Sequence, residues 1–255
     1  MELNRSEEGV GPRVVLVHGF TQTLRSWRQV ADRLTADHRV VSVDLPGHGG
    51  SGELRGDLTT TAAALGTAGG RATYVGYSMG GRVVLRLALD RPDLVERMVL
   101  IGATAGIDSP SDRKARRVAD ERLASAIEQD GVPRFLVRWL SQPIFAGLSV
   151  NEEDRQARLT NSAPGLAASL RDSGTGTMDP PWWDELRRIR CPTRIVAGER
   201  DAKFTDLGRR MAGLIADADL VVVAGVGHAA QLEAPEAVAE LVRDFMRYRS
   251  GEAPS

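Results

Sequence analysis

The chain has 255 residues, 42% of them hydrophobic and 26% charged, with a formal net charge of −1. This is the composition of a globular protein with one sizeable core, and its balanced charge gives no electrostatic support for nucleic-acid binding. A single cysteine, Cys191, excludes internal disulfides and a four-cysteine zinc site.

Met1–Glu8 is polar and acidic, so no signal peptide is expected. No apolar run approaches membrane-spanning length, and the expected location is cytoplasmic. Short apolar runs then alternate with longer amphipathic segments, the pattern of a parallel sheet with crossover helices. Strands are predicted at 14–17, 40–44, 73–77, 98–102, 194–197 and 220–224. Most are continuous apolar runs, as expected when helices cover both faces. Helices are predicted at 27–34, 58–68, 79–89, 206–215 and 235–248. There is no room before Val14 for a long leading hairpin, so a shortened start to the sheet is expected. Residues 106–190 break the alternation with helical patterns at 113–128, 133–140, 151–159 and 165–171. They read as a cap inserted over the C-terminal edge of the sheet, where open α/β sheets bind ligands. A helical domain with no catalytic role is the alternative. The expected organisation is thus a core from 1–105 and 191–249, the cap at 106–190, and a frayed tail at 250–255.

Gly76-Tyr77-Ser78-Met79-Gly80 lies between an apolar run and a helical pattern. A Gly-x-Ser-x-Gly in that context is a nucleophile elbow, whose strained turn exposes the serine at a helix N-terminus. After Ser78 come Asp201, just beyond a predicted strand, and His228 in Gly225-Val226-Gly227-His228, in the order Ser, Asp, His that this motif leads one to expect. His228 would take the Ser78 proton, and Asp201 would fix the imidazole and stabilise its cation. Glu199 is the alternative carboxylate. His18-Gly19-Phe20 ends the first apolar strand, so the backbone N–H groups of Phe20 and Met79 are the candidate oxyanion donors. His18 and His48 read as loop-shaping residues and Cys191 as core. The four histidines show no metal-ligand spacing, and no metal or cofactor is expected.

Arg82 stands four residues after Ser78, where a cation in a first helical turn opposes the macrodipole. Either a carboxylate of the fold or solvent offsets that charge, or an anionic group of a substrate does. Residues 106–190 carry 13 Lys plus Arg and 13 Asp plus Glu, so their net charge leaves the choice open. Only Lys114 and Lys203 are lysines, and in so arginine-rich a chain a single arginine is weak evidence.

The elbow, the His-Gly-Phe loop and the Ser–Asp–His order resemble the α/β-hydrolase superfamily over nearly the whole chain. Within it, Gly76–Arg82, His18–Thr21, Asp44-Leu45-Pro46-Gly47-His48-Gly49, Trp139–Phe145, Gly174-Thr175-Gly176 and Gly198–Phe204 are similar to the SHCHC synthases of menaquinone biosynthesis (2-succinyl-6-hydroxy-2,4-cyclohexadiene-1-carboxylate synthases). The early loops are shared with many hydrolases; Arg82 and the cap segments are the specific part. The resemblance implies a cofactor-free lyase that eliminates pyruvate from a small tricarboxylic cyclohexene. It implies Arg82, Arg122 and Arg158 as carboxylate-binding residues, with Trp139 and Tyr77 lining the pocket. The chain departs from the pattern at Ala229–Glu233, where many relatives carry a second histidine, and at Met178–Trp183. A serine hydrolase acting on a carboxylate-bearing substrate shares the same triad and is the alternative. A dehalogenase would need an Asp in place of Ser78, and a non-catalytic binding module would not need a triad.

Overall fold

The computed structural model describes residues 1–247. The end of the last predicted helix, at Tyr248, and the expected tail at 250–255 lie outside the described residues. Among the described residues seven strands form one sheet: β1 (Arg5–Glu8), β2 (Arg13–Val17), β3 (Arg39–Val43), β4 (Ala72–Tyr77), β5 (Val95–Ile101), β6 (Thr193–Gly198) and β7 (Ala218–Val223). Their order is β1-β3-β2-β4-β5-β6-β7. Only β1 runs antiparallel, with Arg5 opposite Val43. The central strands β2 and β4 pair Val15 with Tyr74 and Leu16 with Val75, all fully buried. Such strands need apolar side chains on both faces, hence their unbroken hydrophobic runs.

Helices α1 (Arg28–Leu34) and α9 (Pro235–Arg247) cover one face of the sheet. The helices α2 (Leu58–Gly69), α3 (Met79–Asp90) and α7 (Ala202–Ala212) cover the other. Helix α7 starts four residues earlier than its sequence pattern suggests, because the Asp201 carboxylate caps it by accepting from the Phe204 N–H at 3.3 Å. The shortened sheet start is a single exposed four-residue strand, β1, whose Arg-Ser-Glu-Glu carries no hydrophobic signal.

Between β5 and β6 the chain is helical: α4 (Pro110–Leu140), α5 (Glu152–Leu159) and α6 (Ala163–Ser173). Gly131, at φ +76°, interrupts α4, matching the gap between two predicted helices. These helices have their own apolar cluster, with Phe135, Leu136, Leu166 and Leu170 at its centre. Phe20 packs against that cluster from the loop after β2. The short α8 (Ala230–Glu233) follows β7. Among the described residues no helix is long and apolar enough to cross a membrane.

Candidate active site

The site forms where β2, β4, β6 and β7 end. Ser78 sits between β4 and α3 at φ +51°, ψ −107°, a conformation foreign to L-residues and costing about 1–3 kcal/mol. The flanking glycines make that turn possible. A Cβ on Gly76 would lie 2.6 Å from the Gly80 carbonyl oxygen, and one on Gly80 would strike the carbonyls of Val17 and His18. The Ser78 N–H donates to Ile101 O at 2.8 Å, which anchors the elbow to β5.

His228 Nδ1 lies 2.6 Å from Asp201 Oδ2, and its Nε2 lies 3.3 Å from Ser78 Oγ. Asp201 thus divides its oxygens, Oδ1 capping α7 and Oδ2 facing the imidazole. A carboxylate at Nδ1 makes that nitrogen the donor, leaving Nε2 as the acceptor for the serine proton. The acid and histidine loops touch closely at Gly198, where any Cβ would run into the Val226 and Gly227 carbonyl oxygens. The Arg200 N–H, donating to Val226 O at 2.9 Å, ties them together. Glu199, the alternative acid, turns away: its Oε2 accepts from the exposed Gly225 N–H at 2.8 Å.

His18 and His48 are fully buried near the loop carrying Phe20. The Leu45 N–H donates to His18 Nε2 at 3.0 Å, so the ring proton is on Nδ1 and bonds Gly19 O at 2.8 Å. Burial holds His18 down to about pH 4. It holds His48 down to about pH 3, with the His18 ring 5.0 Å away adding to the shift. Both are neutral supports of loop shape, as their sequence positions suggested.

The loop itself is a turn closed by the Gln22 N–H on Gly19 O at 3.2 Å. Thr21 takes φ +67° at a position where such turns favour glycine. Two α5-side residues hold it there: Arg158 Nη1 donates to Thr21 Oγ1 at 2.6 Å, and Asn161 Nδ2 donates to Thr21 O at 2.8 Å. Arg158 is itself fixed by Asp154 Oδ2 at 2.6 Å.

Ser78 and His228 open into a cavity of about 310 Å³ roofed by α4 and α6. Phe20, Met79, Tyr77, Arg82, Trp139 and Arg158 all line it, so the structure brings nine of the ten sequence-derived site residues together. The exception is Arg122, which lies exposed on α4 and does not reach the cavity. Arg116, on the same helix, lines it instead. Sequence reasoning also missed Asp120, Gln22, Lys203 and Phe145. The α4 lining residues Arg116, Ala119, Asp120 and Leu123 stand at i, i+3, i+4 and i+7, one helix face, and Arg122 is off it. That periodicity was the signal available for choosing between the two arginines.

Arg82 is 7% exposed, and its Nη1 donates to the Ser173 carbonyl at 2.5 Å. No carboxylate forms an ion pair with it among the described residues. Burial first, then the charge of Arg116, pull it down to about pH 9, with Asp120 opposing the shift. Asp120 Oδ1 accepts from Arg116 Nε at 2.8 Å, while its Oδ2 is buried without a partner. Desolvation pushes the Asp120 carboxyl above its ordinary range. The outcome is a cavity holding Arg82, Arg116, Arg158 and, at its rim, Lys203, against one lining carboxylate. Trp139 and Phe145 close the side above His228, whose ring centroid is 6.2 Å from that of Phe145.

An elbow serine, an imidazole and carboxylate within reach, and a helical roof over the strand ends define an α/β-hydrolase-type serine enzyme site. The chain belongs to the alpha/beta hydrolase family, whose profile matches residues 14–241. It is 30% identical to the 2-succinyl-6-hydroxy-2,4-cyclohexadiene-1-carboxylate synthase of Salmonella paratyphi B, over 92% of this chain and 94% of that protein. The structure of MenH from S. aureus superposes with a TM-score of 0.87 at 29% identity, covering 96% of this chain and 98% of the other. A thermophilic esterase from Thermogutta terrifontis, in a malate-bound structure, gives a TM-score of 0.77 at 28% identity, covering 96% and 93%.

Proposed function

We propose that this chain is a carbon–oxygen lyase that eliminates pyruvate from a tricarboxylic cyclohexene, forming 2-succinyl-6-hydroxy-2,4-cyclohexadiene-1-carboxylate in menaquinone biosynthesis. In this reading residues 106–190 are the cap over a core from 1–105 and 191–249. The substrate is small, anionic and cytoplasmic, and no cofactor takes part. The name of the Salmonella relative and the likeness to MenH support the reaction. The observation that carries it to this site is the guanidinium of Arg82 beside Ser78: of the three arginines that line the cavity, Arg116 is paired with Asp120 and Arg158 with Asp154, whereas Arg82 has only a backbone carbonyl for a partner. A guanidinium buried in that way is matched by a carboxylate, which it binds through two parallel N–H donors.

The chemistry is an elimination. Ser78 Oγ, activated by His228 Nε2, removes a ring proton; the electron pair forms the second ring double bond, and the C–O bond to the enolpyruvyl group breaks. The proton passes through Ser78 to His228, whose cation Asp201 stabilises. The Phe20 and Met79 N–H groups hold the oxygen on which negative charge develops, each worth about 3–4 kcal/mol in the transition state. The group departs as the enolate of pyruvate and becomes pyruvate on gaining at carbon a proton equal to the one taken by His228.

A serine hydrolase acting on a carboxylate-bearing ester is the second reading, favoured by the same Ser–His–Asp geometry and by the likeness to the esterase. A continuous assay with the tricarboxylate, following diene absorbance and pyruvate release beside p-nitrophenyl acetate, separates the two. Turnover of the tricarboxylate with little ester hydrolysis is expected; ester hydrolysis with no pyruvate release would move the protein to the hydrolases.

A further inference from the structure

Gln22 is 2% exposed, yet it lines the cavity. Its Oε1 accepts from the Gly19 N–H at 3.1 Å. A backbone N–H only donates, so this contact fixes which end of the amide is oxygen and turns Nε2 away from the loop. Nε2 has no protein partner among the described residues, and it is not sealed in the interior. Its two N–H groups therefore face the cavity. The adjoining residue, Thr21, holds Arg158 through Nη1; Arg158 Nε is taken by Asp154, and Nη2 is left without a partner. The amide, from the loop that carries Phe20, and the guanidinium, from α5, thus offer donors to the cavity with no acceptor supplied by the protein. An unpartnered buried donor costs free energy unless a ligand completes it.

We propose that Gln22 is a specificity-determining residue: its Nε2 donates to a substrate carboxylate that Arg158 also binds, at the oxyanion-loop end of the cavity. Its donors are separate from those of Arg82, whose Nη1 donates to the Ser173 carbonyl. The inference rests on the lyase reading for the identity of the substrate, but not for the existence of the subsite. Thr21 explains why the subsite is rigid: its positive φ is held by Arg158 and Asn161, so the loop presents Gln22 in one orientation.

The test compares the parent with Gln22→Glu and Gln22→Met, each first checked for a parent-like thermal melt. Glutamate keeps an oxygen for the Gly19 N–H, removes both donors and sets a negative charge against the substrate. The expected result is a KM for the tricarboxylate raised at least about tenfold, with kcat changed less than about threefold. Methionine, which lacks the charge, is expected to raise KM by a smaller factor. A loss confined to kcat, or no change in KM, would make Gln22 a brace for the oxyanion loop and overturn the proposal. Should the parent release no pyruvate, the lyase reading fails separately, and the proteins are compared by calorimetric titration with succinate. Binding weakened about tenfold in Gln22→Glu then upholds the subsite; equal binding, or no binding by the parent, overturns it.

Discussion

Lowering the pH from 7.5 to 5.0 should weaken this fold through its two buried histidines, by an amount the structure sets. His18 and His48 stay neutral down to about pH 4 and about pH 3 in the folded state, whereas an unfolded histidine titrates near ~6.5. Because both folded values are depressed, the unfolded chain binds more protons below pH 6.5, and stability falls as the pH falls. Integrated to pH 5.0, each ring costs about 2 kcal/mol, and the pair about 4 kcal/mol. That is a large fraction of a typical total of about 5–15 kcal/mol. Urea unfolding of the parent and of His48→Gln at both pH values isolates the effect, since carboxylates contribute alike to the two proteins and cancel in the difference. The parent should lose about 2 kcal/mol more than the variant between pH 7.5 and 5.0. Equal losses would refute the argument and mean that His48 is protonated in the fold or reached by solvent. The loop carrying Phe20 would suffer with the fold, because a proton on His18 Nε2 opposes the Leu45 N–H that now donates to it.

Ser78→Ala should lower the rate of pyruvate release by roughly 10⁴-fold or more without changing the unfolding free energy by more than about 1 kcal/mol. Asp201→Asn should cost about 10³-fold or more in kcat, while Glu199→Gln, altering a residue bonded only to an exposed loop amide, leaves kcat within about twofold. Steady-state assays of the three decide whether the acid is Asp201. Arg82→Met should lower kcat/KM for the tricarboxylate about a hundredfold more than for p-nitrophenyl acetate; an equal fall for both would remove its carboxylate-binding role. Arg116→Ala should raise the KM for the tricarboxylate about tenfold, and Arg122→Ala should leave it within about twofold. The reverse outcome would restore Arg122 to the site.

The sheet and the elbow were legible because their signals are local. A fully buried parallel strand is an apolar run, and Gly76 and Gly80 are demanded by atoms of the elbow and of the adjacent strand end. The Ser–Asp–His order was legible because Ser78 directly follows β4 and Asp201 and His228 lie in the short loops after β6 and β7, so strand positions deliver all three to the same edge. What failed depended on information the linear pattern does not carry. Strand β1 is held by backbone pairing to β3 with no apolar face, so nothing in Arg-Ser-Glu-Glu marks it. Arg116 and Arg122 differ by six residues, about 240° around a helix, and only the companion positions Ala119, Asp120 and Leu123 say which faces the cavity. Gln22 was hidden because its role depends on Thr21 adopting a positive φ, a conformation that threonine rarely takes and that here depends on contacts from residues 137 and 140 positions away.

The same contacts explain how one scaffold is turned toward anion chemistry. Residues 106–190 are electrically neutral in sum, yet the folded cavity is not. Helix α4 turns Arg116 and Asp120 inward and leaves Glu121 and Glu128 outside, where they pair with Arg171. Charge is therefore sorted by helix face rather than by composition. The one cavity-lining carboxylate of α4, Asp120, engages Arg116 through a single oxygen and forms no ion pair with Arg82. Burial pushes its carboxyl above the ordinary range, with Arg116 and Arg82 opposing the shift. A fully paired cluster would be inert, since a substrate carboxylate would have to displace an internal one of equal charge. Arg82, left without a carboxylate, keeps donors available beside Ser78 and lets the substrate supply the missing charge. The guanidinium of Arg82 is pulled down first by burial and then by the charge of Arg116, with Asp120 opposing the shift. Its energetic cost in the empty protein is what makes the arrival of an anion favourable.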